Sequence, residues 1–317
     1  MSPVESLARI LVLGSLNIDL VLTVPRLPRP GETILGERLG RYPGGKGANQ
    51  AVAAARLGGQ VAMVGRVGGD DFGPGLVENL RANGVDASGV KPGDSPTGAA
   101  LIFVGPDGQN MIAVAPGANA RLDAADATRA VERLGPGDVL VMQLEIPMPV
   151  IIQAAAAARR AGARVILNAA PAHRLDPGLL SQVDTLVVNE GEARVILDER
   201  VARDNEAAPE DAVQALHAIG PRIAVVTLGL AGSVFCDETG VHRVEPFQVT
   251  SIDATGAGDA FVGALAVGLA RGLATEASMR FANAAGAAAT TSLGAQAALP
   301  RLEDLRRLGL DLSFSER

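Results

Sequence analysis

Short apolar segments alternate with longer, alanine-rich amphipathic stretches along most of this chain. Buried strands are predicted where several apolar residues stand together between turn signals. The clearest of them are Ile10–Leu13, Val61–Gly65, Val139–Gln143, Arg164–Asn168, Thr185–Asn189 and Ile223–Leu228. Strands that alternate with helices predict a doubly wound, mostly parallel sheet, so the predicted fold class is α/β with helices on both faces of the sheet.

Two parts of the chain, at about residues 17–42 and 97–116, instead show the period-two pattern of strands with one apolar face. Their segments are Leu20–Val24, Thr33–Tyr42, Gly98–Val104 and Asn110–Ala115. We predict that they form a small lid sheet inserted into a single domain of residues 1–317. Because such a sheet is unstable with its apolar face in water, we expect it to cover a ligand and to form a homodimer.

Composition narrows the classes of partner. The chain has 317 residues, of which 48% are apolar and 3% aromatic, enough for a large core but poor in rings for base stacking. Its net charge is −7 with no basic block, so we predict neither a nucleic-acid partner nor an anionic membrane partner. The apolar runs are too short for a membrane span and Cys236 is the only cysteine, so we expect a cytoplasmic protein.

The segment Asp253–Ala260 combines two glycines with a carboxylate just before a long apolar stretch. Gly256 and Gly258 flank Ala257 and allow a tight turn, so that several amides point one way at the first turn of the next helix. A carboxylate at Asp259 repels an anion there, unless it accepts a proton from an attacking hydroxyl. The pattern therefore indicates either a phosphoryl-transfer base beside an anion hole, or a glycine-rich helix start with an acidic first turn.

Polar residues stand at the carboxyl ends of the predicted strands. Ligands bind at this edge of a doubly wound sheet, so we expect these residues to converge on one site. They are Asn17, Asp19, Gln143, Glu145, Asn168, Asn189, Glu192, Thr227 and Gly229. Asp19 and Glu145 suit the hydroxyls of a sugar, and helix capping or a solvated rim is the alternative explanation for both.

A glycine-rich segment, Gly44–Asn49, begins a predicted helix with a lysine in its first turn. The spacing from Gly40 to Lys46 fits a P-loop, but Gly47 stands where that loop needs a hydroxyl for Mg²⁺, which argues against it. Lys46 and Asn49 suit hydroxyl or phosphate oxygens, and a tight turn with a solvated lysine explains the pattern equally well.

Asn189 and Glu192 open another predicted helix directly after a strand. Oxygen ligands at this spacing suit a hydrated Mg²⁺, whereas an Asn N-cap followed by an acidic first turn produces the same pattern. Residues 227–232 similarly predict either a turn or a glycine loop that lets a ligand approach the backbone.

Six motifs in this order resemble the ribokinase-type carbohydrate kinases over nearly the whole chain. They are Gly-Ser-Leu-Asn-Ile-Asp at 14–19, Gly-Gly-Lys-Gly-Ala-Asn-Gln at 44–50, Gln-Leu-Glu at 143–145, Asn-Glu-Gly-Glu at 189–192, Thr-Leu-Gly at 227–229 and Asp-Ala-Thr-Gly-Ala-Gly-Asp at 253–259. The resemblance implies a three-layer α/β/α fold with a small β-sheet lid, and ATP-dependent phosphorylation of the 5-hydroxyl of ribose.

The resemblance also implies roles for individual residues. Asp259 would be the base, and the amides of Gly256, Ala257 and Gly258 the anion hole. The sugar would be held by Asn17, Ile18, Asp19, Gly45, Lys46, Gly47, Ala48, Asn49, Glu145 and Asp259. The nucleotide would contact Asn189, Thr227, Leu228, Gly229, Leu230, Ala231, Gly232, Gly258 and Asn283, with Mg²⁺ near Asn189 and Glu192.

Ribokinase-type kinases also carry a site for a monovalent cation, so the resemblance implies K⁺ beside ATP and Mg²⁺. The matching positions here are Asp253, Thr255, Ala289, Ser292 and Gly294. The chain departs from the family at Ala298, where the family has a serine hydroxyl. One side-chain ligand is therefore missing, and weaker binding of K⁺ is expected.

Three functions are compatible with these motifs. A kinase for ribose follows most directly, whereas a kinase for deoxyribose, fructose or a nucleoside such as adenosine differs by groups that only side-chain geometry distinguishes. A sugar-binding regulator would keep the pocket without needing a base or a metal. The presence of Asp259, Asn189 and Glu192 argues against that last function.

Overall fold

Two β-sheets form the framework of the computed structural model, which describes residues 8–106, 108–197 and 208–312. The strands in chain order are β1 (Arg9–Leu13), β2 (Asn17–Thr23), β3 (Arg38–Gly44), β4 (Gln60–Gly68), β5 (Asp86–Gly93), β6 (Gly98–Val104), β7 (Asn110–Ala115), β8 (Val139–Gln143), β9 (Arg164–Asn168), β10 (Thr185–Asn189), β11 (Ile223–Thr227), β12 (Ser233–Asp237) and β13 (Gly240–Val244).

The helices are mostly short and rich in alanine. In chain order they are α1 (Lys46–Arg56), α2 (Gly73–Ala82), α3 (Ala124–Val131), α4 (Met148–Ala161), α5 (Pro177–Leu180), α6 (Glu190–Ile196), α7 (Pro209–Ala218), α8 (Ala257–Ala270), α9 (Thr275–Ala289), α10 (Ala295–Ala298) and α11 (Leu302–Arg307). Gly117–Arg121 and Gly229–Ala231 form single 3₁₀ turns. Among the described helices, none is long and apolar enough to cross a membrane.

The larger sheet has the strand order β13-β12-β11-β10-β9-β8-β1-β4-β5. Neighbouring strands from β5 to β11 pair in parallel, and only β12 and β13 pair antiparallel with their neighbours. The predicted α/β class is confirmed. The register sets Gln143 beside Asn168 and Asn189 beside Thr227, so the polar strand ends are direct cross-strand neighbours.

Helices cover both faces of this sheet and give three layers. One face packs against α1, α2, α8, α9 and α11, and the other face packs against α3 to α7. Each interface is a separate cluster of buried apolar residues, in which alanine supplies much of the packing. The three-layer arrangement implied by the family resemblance is therefore the one observed.

A close helix contact brings two of the motifs together. At Gly263 of α8, an added Cβ would lie 2.7 Å from Ala53 Cβ and 2.9 Å from the Gln50 carbonyl oxygen of α1. Only a glycine lets the two helices approach this far. Asp259 lies one turn before Gly263, so this contact also sets Asp259 against the first turns of α1.

The smaller sheet, here called the lid, has the strand order β3-β2-β6-β7. Its strands come from the two predicted insertions. Ala100 pairs with Asp19, and Ile102 pairs with Ile112, so these side chains share one face, the site face. On that face Ile112 is 54% exposed, whereas Leu101, on the opposite face, is 47% exposed. Both faces therefore carry uncovered apolar side chains.

Some predicted bounds differ from the structure. The strand predicted at Thr33–Tyr42 begins only at Arg38, because the preceding residues form a loop in which Gly36 lies against the Leu22 side chain. β5, β12 and β13 were not predicted, since all three lie toward the edges of the sheet and β5 contains Pro92, which an edge strand tolerates. The sequence Pro106-Asp107-Gly108-Gln109 also predicts a hairpin turn between β6 and β7, and Asp107 of that turn lies outside the described residues.

Candidate active site

The carboxyl ends of the central strands border a space of about 220 Å³, here called the Asp259 cavity. Residues at the predicted strand ends line it together with the start of α8. The lining residues are Lys46, Asn168, Ala170, Val187, Val188, Asn189, Glu192, Thr227, Ala254, Gly256, Gly258 and Asp259. Of the strand-end residues predicted to converge, Asn168, Asn189, Glu192 and Thr227 line this cavity, at the edge where ligands bind in α/β sheets.

Asp259 lies in the first turn of α8 and is only 8% exposed. Its Oδ2 accepts a hydrogen bond from Asn49 Nδ2 at 2.8 Å, and its Oδ1 accepts one from Gln50 Nε2 at 3.0 Å. Burial raises the pKa of this carboxyl, while Lys46 and the two amide donors oppose the rise. A carboxyl with a raised pKa in a cavity wall is suited to accept a proton from a bound hydroxyl.

A tight turn precedes Asp259 and begins α8. Gly256 is the N-cap with a φ of 80°, in the left-handed region that favours glycine, and none of the described side chains caps this helix. The first amides of a helix have no acceptor within it, so they are available to an anion. The Ala257 amide is already engaged, because it donates to the Ala254 carbonyl at 3.2 Å. Gly256 and Gly258 line the Asp259 cavity.

Lys46, the first residue of α1, lies among the carboxylates of Asp259, Glu145 and Glu192. Burial alone would lower the pKa of Lys46, but these carboxylates raise it above its ordinary value. Burial also acts on Asp19, and together with the charges of Glu145 and Asp259 it raises the pKa of Asp19 to about 7. Lys46 therefore stays charged at neutral pH and offsets part of the negative charge around it.

Two residues without a predicted role hold the candidate sugar ligands. Ser15 Oγ donates a hydrogen bond to Glu145 Oε2 at 2.5 Å. Asn119 Nδ2 donates to Asn17 Oδ1 at 2.7 Å. Ser15 belongs to the first of the six motifs and could have been singled out there. Asn119 lies in a 3₁₀ turn far away in the chain, so only the tertiary structure reveals its contact.

Asn17 and Glu145 do not line the Asp259 cavity. They line a neighbouring space of about 530 Å³ under the lid. Its other lining residues are mostly apolar: Val114, Pro116, Asn119, Ala120, Leu144, Ile146, Pro147 and Pro171. Val114 belongs to the lid, so this space lies between the lid and the large sheet.

Four of the predicted sugar-binding residues shape the site without lining the Asp259 cavity. Ile18 alternates with Asn17 and Asp19 and is buried on the other face of the lid, and Ala48 is packed in the core. Gly47 lies against the end of β1, where a Cβ would come within 2.6 Å of the Ser15 nitrogen. Gly45 has a φ of 89° in the same turn. These four residues therefore position their neighbours in the chain.

A second cavity, of about 290 Å³, adjoins the first. Thr227, Ala254 and Gly258 line both, so the two cavities meet at the start of α8. Of the predicted nucleotide-binding residues, the second cavity is lined by Thr227, Gly229, Leu230, Gly232, Gly258 and Asn283. Leu228 is instead buried in the core, and Ala231 and Asn189 do not line this cavity.

Apart from Ala257, which was predicted as part of the anion hole, the remaining wall of the second cavity was not predicted from the sequence. It is formed by Pro246, Phe247, Ser251, Ala254, Ala257, Phe261, Gly286, Ala287 and Thr290. The Phe247 ring also carries the guanidinium of Arg280, whose Cζ lies 4.9 Å from the ring centroid. Phe247 follows β13 outside any motif, and the scarcity of aromatic residues in this chain is the one signal that could have singled it out.

Asn189 and Glu192 form a reciprocal capping box at the start of α6. Asn189 Oδ1 accepts from the Glu192 amide, and Glu192 Oε2 accepts from the Asn189 amide, both at 2.8 Å. The structure thus supports the N-cap alternative for Asn189. Glu192 lines the Asp259 cavity and burial raises its pKa, although the Asn189 amide and Lys46 oppose the rise. No group of three or more acidic, His or Cys side chains is gathered as a metal site among residues 8–106, 108–197 and 208–312.

The predicted cation segment folds around the Asp253 carboxylate. Asp253 Oδ1 accepts from the Thr255 amide and hydroxyl, and Oδ2 accepts from the Gly294 amide at 2.8 Å. Burial alone would raise the pKa of Asp253, but these hydrogen bonds lower it. Ala289, at the end of α9, is fully buried, whereas Ser292 is exposed. Ala289 has no side-chain donor, so it could contribute to a cation site only through its backbone carbonyl.

Known proteins match this chain over nearly its full length. The pfkB family of carbohydrate kinases matches residues 7–302. The chain is 37% identical to the ribokinase of Bacillus subtilis over 94% of this chain and 98% of that protein. It is 34% identical to the deoxyribokinase of Salmonella typhi over 93% of this chain and 96% of that protein.

Solved structures show the same fold. The ribokinase of Arabidopsis thaliana, complexed with ribose and ATP, superposes with a TM-score of 0.84 at 31% identity, covering 96% of this chain and 99% of that one. Phosphofructokinase-2 of Escherichia coli, in complex with potassium, superposes with a TM-score of 0.79 at 26% identity, covering 95% of this chain and 98% of that one.

Proposed function

Because the chain belongs to the pfkB family of carbohydrate kinases, we propose that it transfers the γ-phosphoryl group of ATP to the 5-hydroxyl of D-ribose. The observation that carries this proposal is the meeting of two cavities at Gly258, with Asp259 on one side of that point. One cavity suits a nucleotide, since it is largely apolar and includes Phe247. The other suits a sugar hydroxyl, since it contains a carboxylate and a lysine.

In the proposed reaction Asp259 accepts the proton of the sugar hydroxyl as that oxygen attacks the γ-phosphorus, and the bond from the γ-phosphorus to the β,γ-bridging oxygen breaks, so that ADP leaves. The amides of Gly256 and Gly258 donate to the phosphoryl oxygens, which gain negative charge during transfer. Lys46, charged and half-buried, would add a positive charge beside the same oxygens. Positioning and electrostatics supply the rate in such reactions, because the protein forms no covalent bond with the phosphoryl group.

Mg²⁺ is proposed near Glu192, whose carboxylate faces the same cavity. Bound Mg²⁺ would neutralise charge on the ATP phosphates. One protein carboxylate is an adequate donor set, because Mg²⁺ keeps several waters and takes its other ligands from phosphate oxygens. The Asn189 side chain is committed to its capping hydrogen bond, and the Asn189 amide is proposed to fix the Glu192 carboxylate, to which it donates.

The sugar is proposed to lie between Asp259 and the space under the lid. Asp19, Asn17 and Glu145 offer oxygen and amide groups for its hydroxyls, and Asn49 is oriented by Asp259. The lid and the large sheet would then act as one kinase domain. The use of ATP and the lone, buried thiol of Cys236 favour a cytoplasmic location, which stays a prediction.

Initial rates of ATP-dependent phosphorylation, measured over a panel of pentoses, hexoses and nucleosides, test the proposed function. We expect the highest kcat/KM with ribose. Deoxyribose is the main alternative substrate, because the chain is similar to a deoxyribokinase as well. A hydroxyl that the site hydrogen-bonds contributes far more to the ratio of kcat/KM values than a hydroxyl that the site merely accommodates. Binding of ribose without turnover would instead indicate a sugar-binding regulator.

K⁺ is proposed to bind at the Asp253 segment and to order the turn that carries the anion hole. Activity is expected to rise when K⁺ replaces a large organic cation at equal ionic strength. Ala298→Ser supplies the hydroxyl that the family has, so it should lower the K⁺ concentration for half-maximal activity by about 2- to 10-fold, the effect of one added oxygen ligand. Ala297→Ser, on the exposed side of α10, should leave it unchanged.

We propose that the chain is a homodimer through the site face of the lid. Beyond the sugar, this face exposes Ile112, which a second copy could bury in a two-fold contact. Ile112→Glu is expected to give monomers in sedimentation and to raise the KM for sugar together. Leu101→Glu is the matched control, because Leu101 is similarly exposed but lies on the opposite face. A monomeric wild type with normal activity would remove the dimer from the proposal.

A further inference from the structure

A chain of buried side-chain amides lies behind Asp259. Gln50 of α1 and Gln143 of β8 are both fully buried, and Asn168 of β9 is 8% exposed. Gln143 Nε2 donates to Gln50 Oε1 at 2.6 Å. Gln50 Nε2 in turn donates to Asp259 Oδ1 and to Asn168 Oδ1, each at 3.0 Å. Amides from three separate elements are thus linked to one oxygen of the carboxylate.

The carboxylate fixes the direction of every amide in this chain. An ionised carboxylate only accepts hydrogen bonds, so Gln50 must turn its NH₂ group toward Asp259. The Gln50 carbonyl then faces Gln143, so Gln143 must donate a hydrogen bond to it from its own NH₂ group. A flip of either amide would set a carbonyl oxygen against another acceptor.

This arrangement leaves one polar atom without a partner. Gln143 Oε1 is buried and accepts no hydrogen bond from the described residues. Gly14 accommodates it, since a Cβ at that position would lie only 2.0 Å from this oxygen. A buried oxygen that accepts no hydrogen bond lowers the stability of the folded protein. Such an atom is therefore retained where a neighbouring group has a functional need for the arrangement. Here the neighbouring group is the Asp259 carboxylate, which accepts a hydrogen bond from the oriented NH₂ group of Gln50.

We propose, on the basis of the proposed function, that Gln50 is a positioning residue for the reaction: held by Gln143, it fixes the Asp259 carboxylate in its ionised form and in one orientation toward the cavity. Asn49 donates to the other oxygen of Asp259 and is itself a candidate sugar ligand. Gln50 has no such second role, because its amide is fully committed within the chain of amides.

The charged groups around Asp259 determine whether its pKa rises or falls when the hydrogen bond from Gln50 is removed. Lys46 on α1 favours the ionised carboxylate, whereas Glu145 after β8, Asp19 on β2 and Glu192 on α6 disfavour it. Burial disfavours it most, so the pKa of Asp259 is raised. The hydrogen bond from Gln50 lowers that pKa, and its removal should let the pKa rise further.

The test compares three variants with the wild type. Gln50→Met keeps the shape of the side chain but removes the NH₂ group that donates to Asp259. Gln143→Met removes only the hydrogen bond from Gln143 to Gln50, and the double variant removes both amides. Three readouts are used: the pH dependence of kcat/KM for ribose, a ¹³C carboxyl titration of the substrate-free protein, and the melting temperature. The Asp259 resonance is identified by its absence in Asp259→Asn.

In Gln50→Met the acidic limb of kcat/KM and the Asp259 titration should both move to higher pH by about one unit, the effect of losing a hydrogen bond to a charged group. Gln143→Met should move both in the same direction but by less, because Gln50 keeps its hydrogen bond to Asp259 and loses only the one that holds it. The double variant should regain melting temperature relative to Gln50→Met, because no amide donor is left unpaired, yet it should keep the shifted titration.

A titration and an acidic limb that stay at the wild-type pH in Gln50→Met would overturn the inference, even if turnover falls, since that loss would reflect packing alone. A double variant with the wild-type pH profile would overturn it as well. If the wild type fails to phosphorylate ribose, the proposed function is lost, and the carboxyl titration still decides the role of Gln50.

Discussion

Replacing Asp259 by Asn is expected to lower turnover by about 10²–10⁴-fold, the usual contribution of a general base. The substitution keeps size and polarity but removes proton acceptance. Gln50 can still donate to the carbonyl oxygen of the introduced amide. Asn49, whose Oδ1 has no partner among the described residues, can turn its own amide to accept from the new NH₂ group. Single-turnover phosphorylation of ribose measures the effect.

Binding and stability serve as controls for this variant. Ribose affinity, measured by calorimetry, should change far less than turnover. Because burial raises the pKa of Asp259, ionising it costs the folded protein free energy, and the Asn variant should melt no lower than the wild type at neutral pH. Near-normal single-turnover rates in Asp259→Asn would exclude Asp259 as the base.

Gly258→Val is expected to abolish most phosphoryl transfer without unfolding the protein. Apart from its chain neighbours and the backbone of its own helix, no atom of the described residues lies within 4 Å of a Cβ added at Gly258, because that position opens into both cavities. A valine side chain would occupy the point where the two cavities meet and displace the transferring group by about an ångström or more. Misplacement of this size costs on the order of 10²-fold in rate.

Gly75→Val is the matched control for Gly258→Val. Gly75 also lies in the first turns of a helix, α2, and has equally open space around its Cβ, but it lines neither cavity. Both variants should change the free energy of unfolding by less than about 1 kcal/mol. Denaturant unfolding and kcat/KM are to be measured together. A Gly258→Val enzyme as active as Gly75→Val would show that phosphoryl transfer does not pass this point.

Local patterns were sufficient for the central strands. Val139–Gln143, Arg164–Asn168 and Thr185–Asn189 have the predicted bounds, because a strand buried on both faces is a run of apolar residues whatever its surroundings. β5 escaped prediction for the opposite reason. Its residues Gly89 and Pro92 are poor strand formers, and its place at the edge of the sheet permits them.

The lid shows what the alternation of apolar and polar residues does not predict, namely the pairing of its strands. Alternation predicted its strands, but the alternation alone does not say which residues pair. The register sets Ile102 directly opposite Ile112, so both lie on the site face, and it separates them from Leu101. Pairing depends on contacts between segments that are distant in the chain, such as β2 and β6.

By itself, the sequence determined the α/β class, the ends of the central strands, and a carboxylate beside a glycine turn at Asp259, because each depends on residues adjacent in the chain. Only the tertiary structure decided that Asn189 caps a helix, that a second cavity meets the first at Gly258, and that Gln50 and Gln143 stand behind Asp259. These residues lie on α1, β8, α8 and at the end of β10, which are far apart in the chain. The partner of a buried amide depends on how these elements pack together, and the spacing of residues along the sequence does not determine that packing.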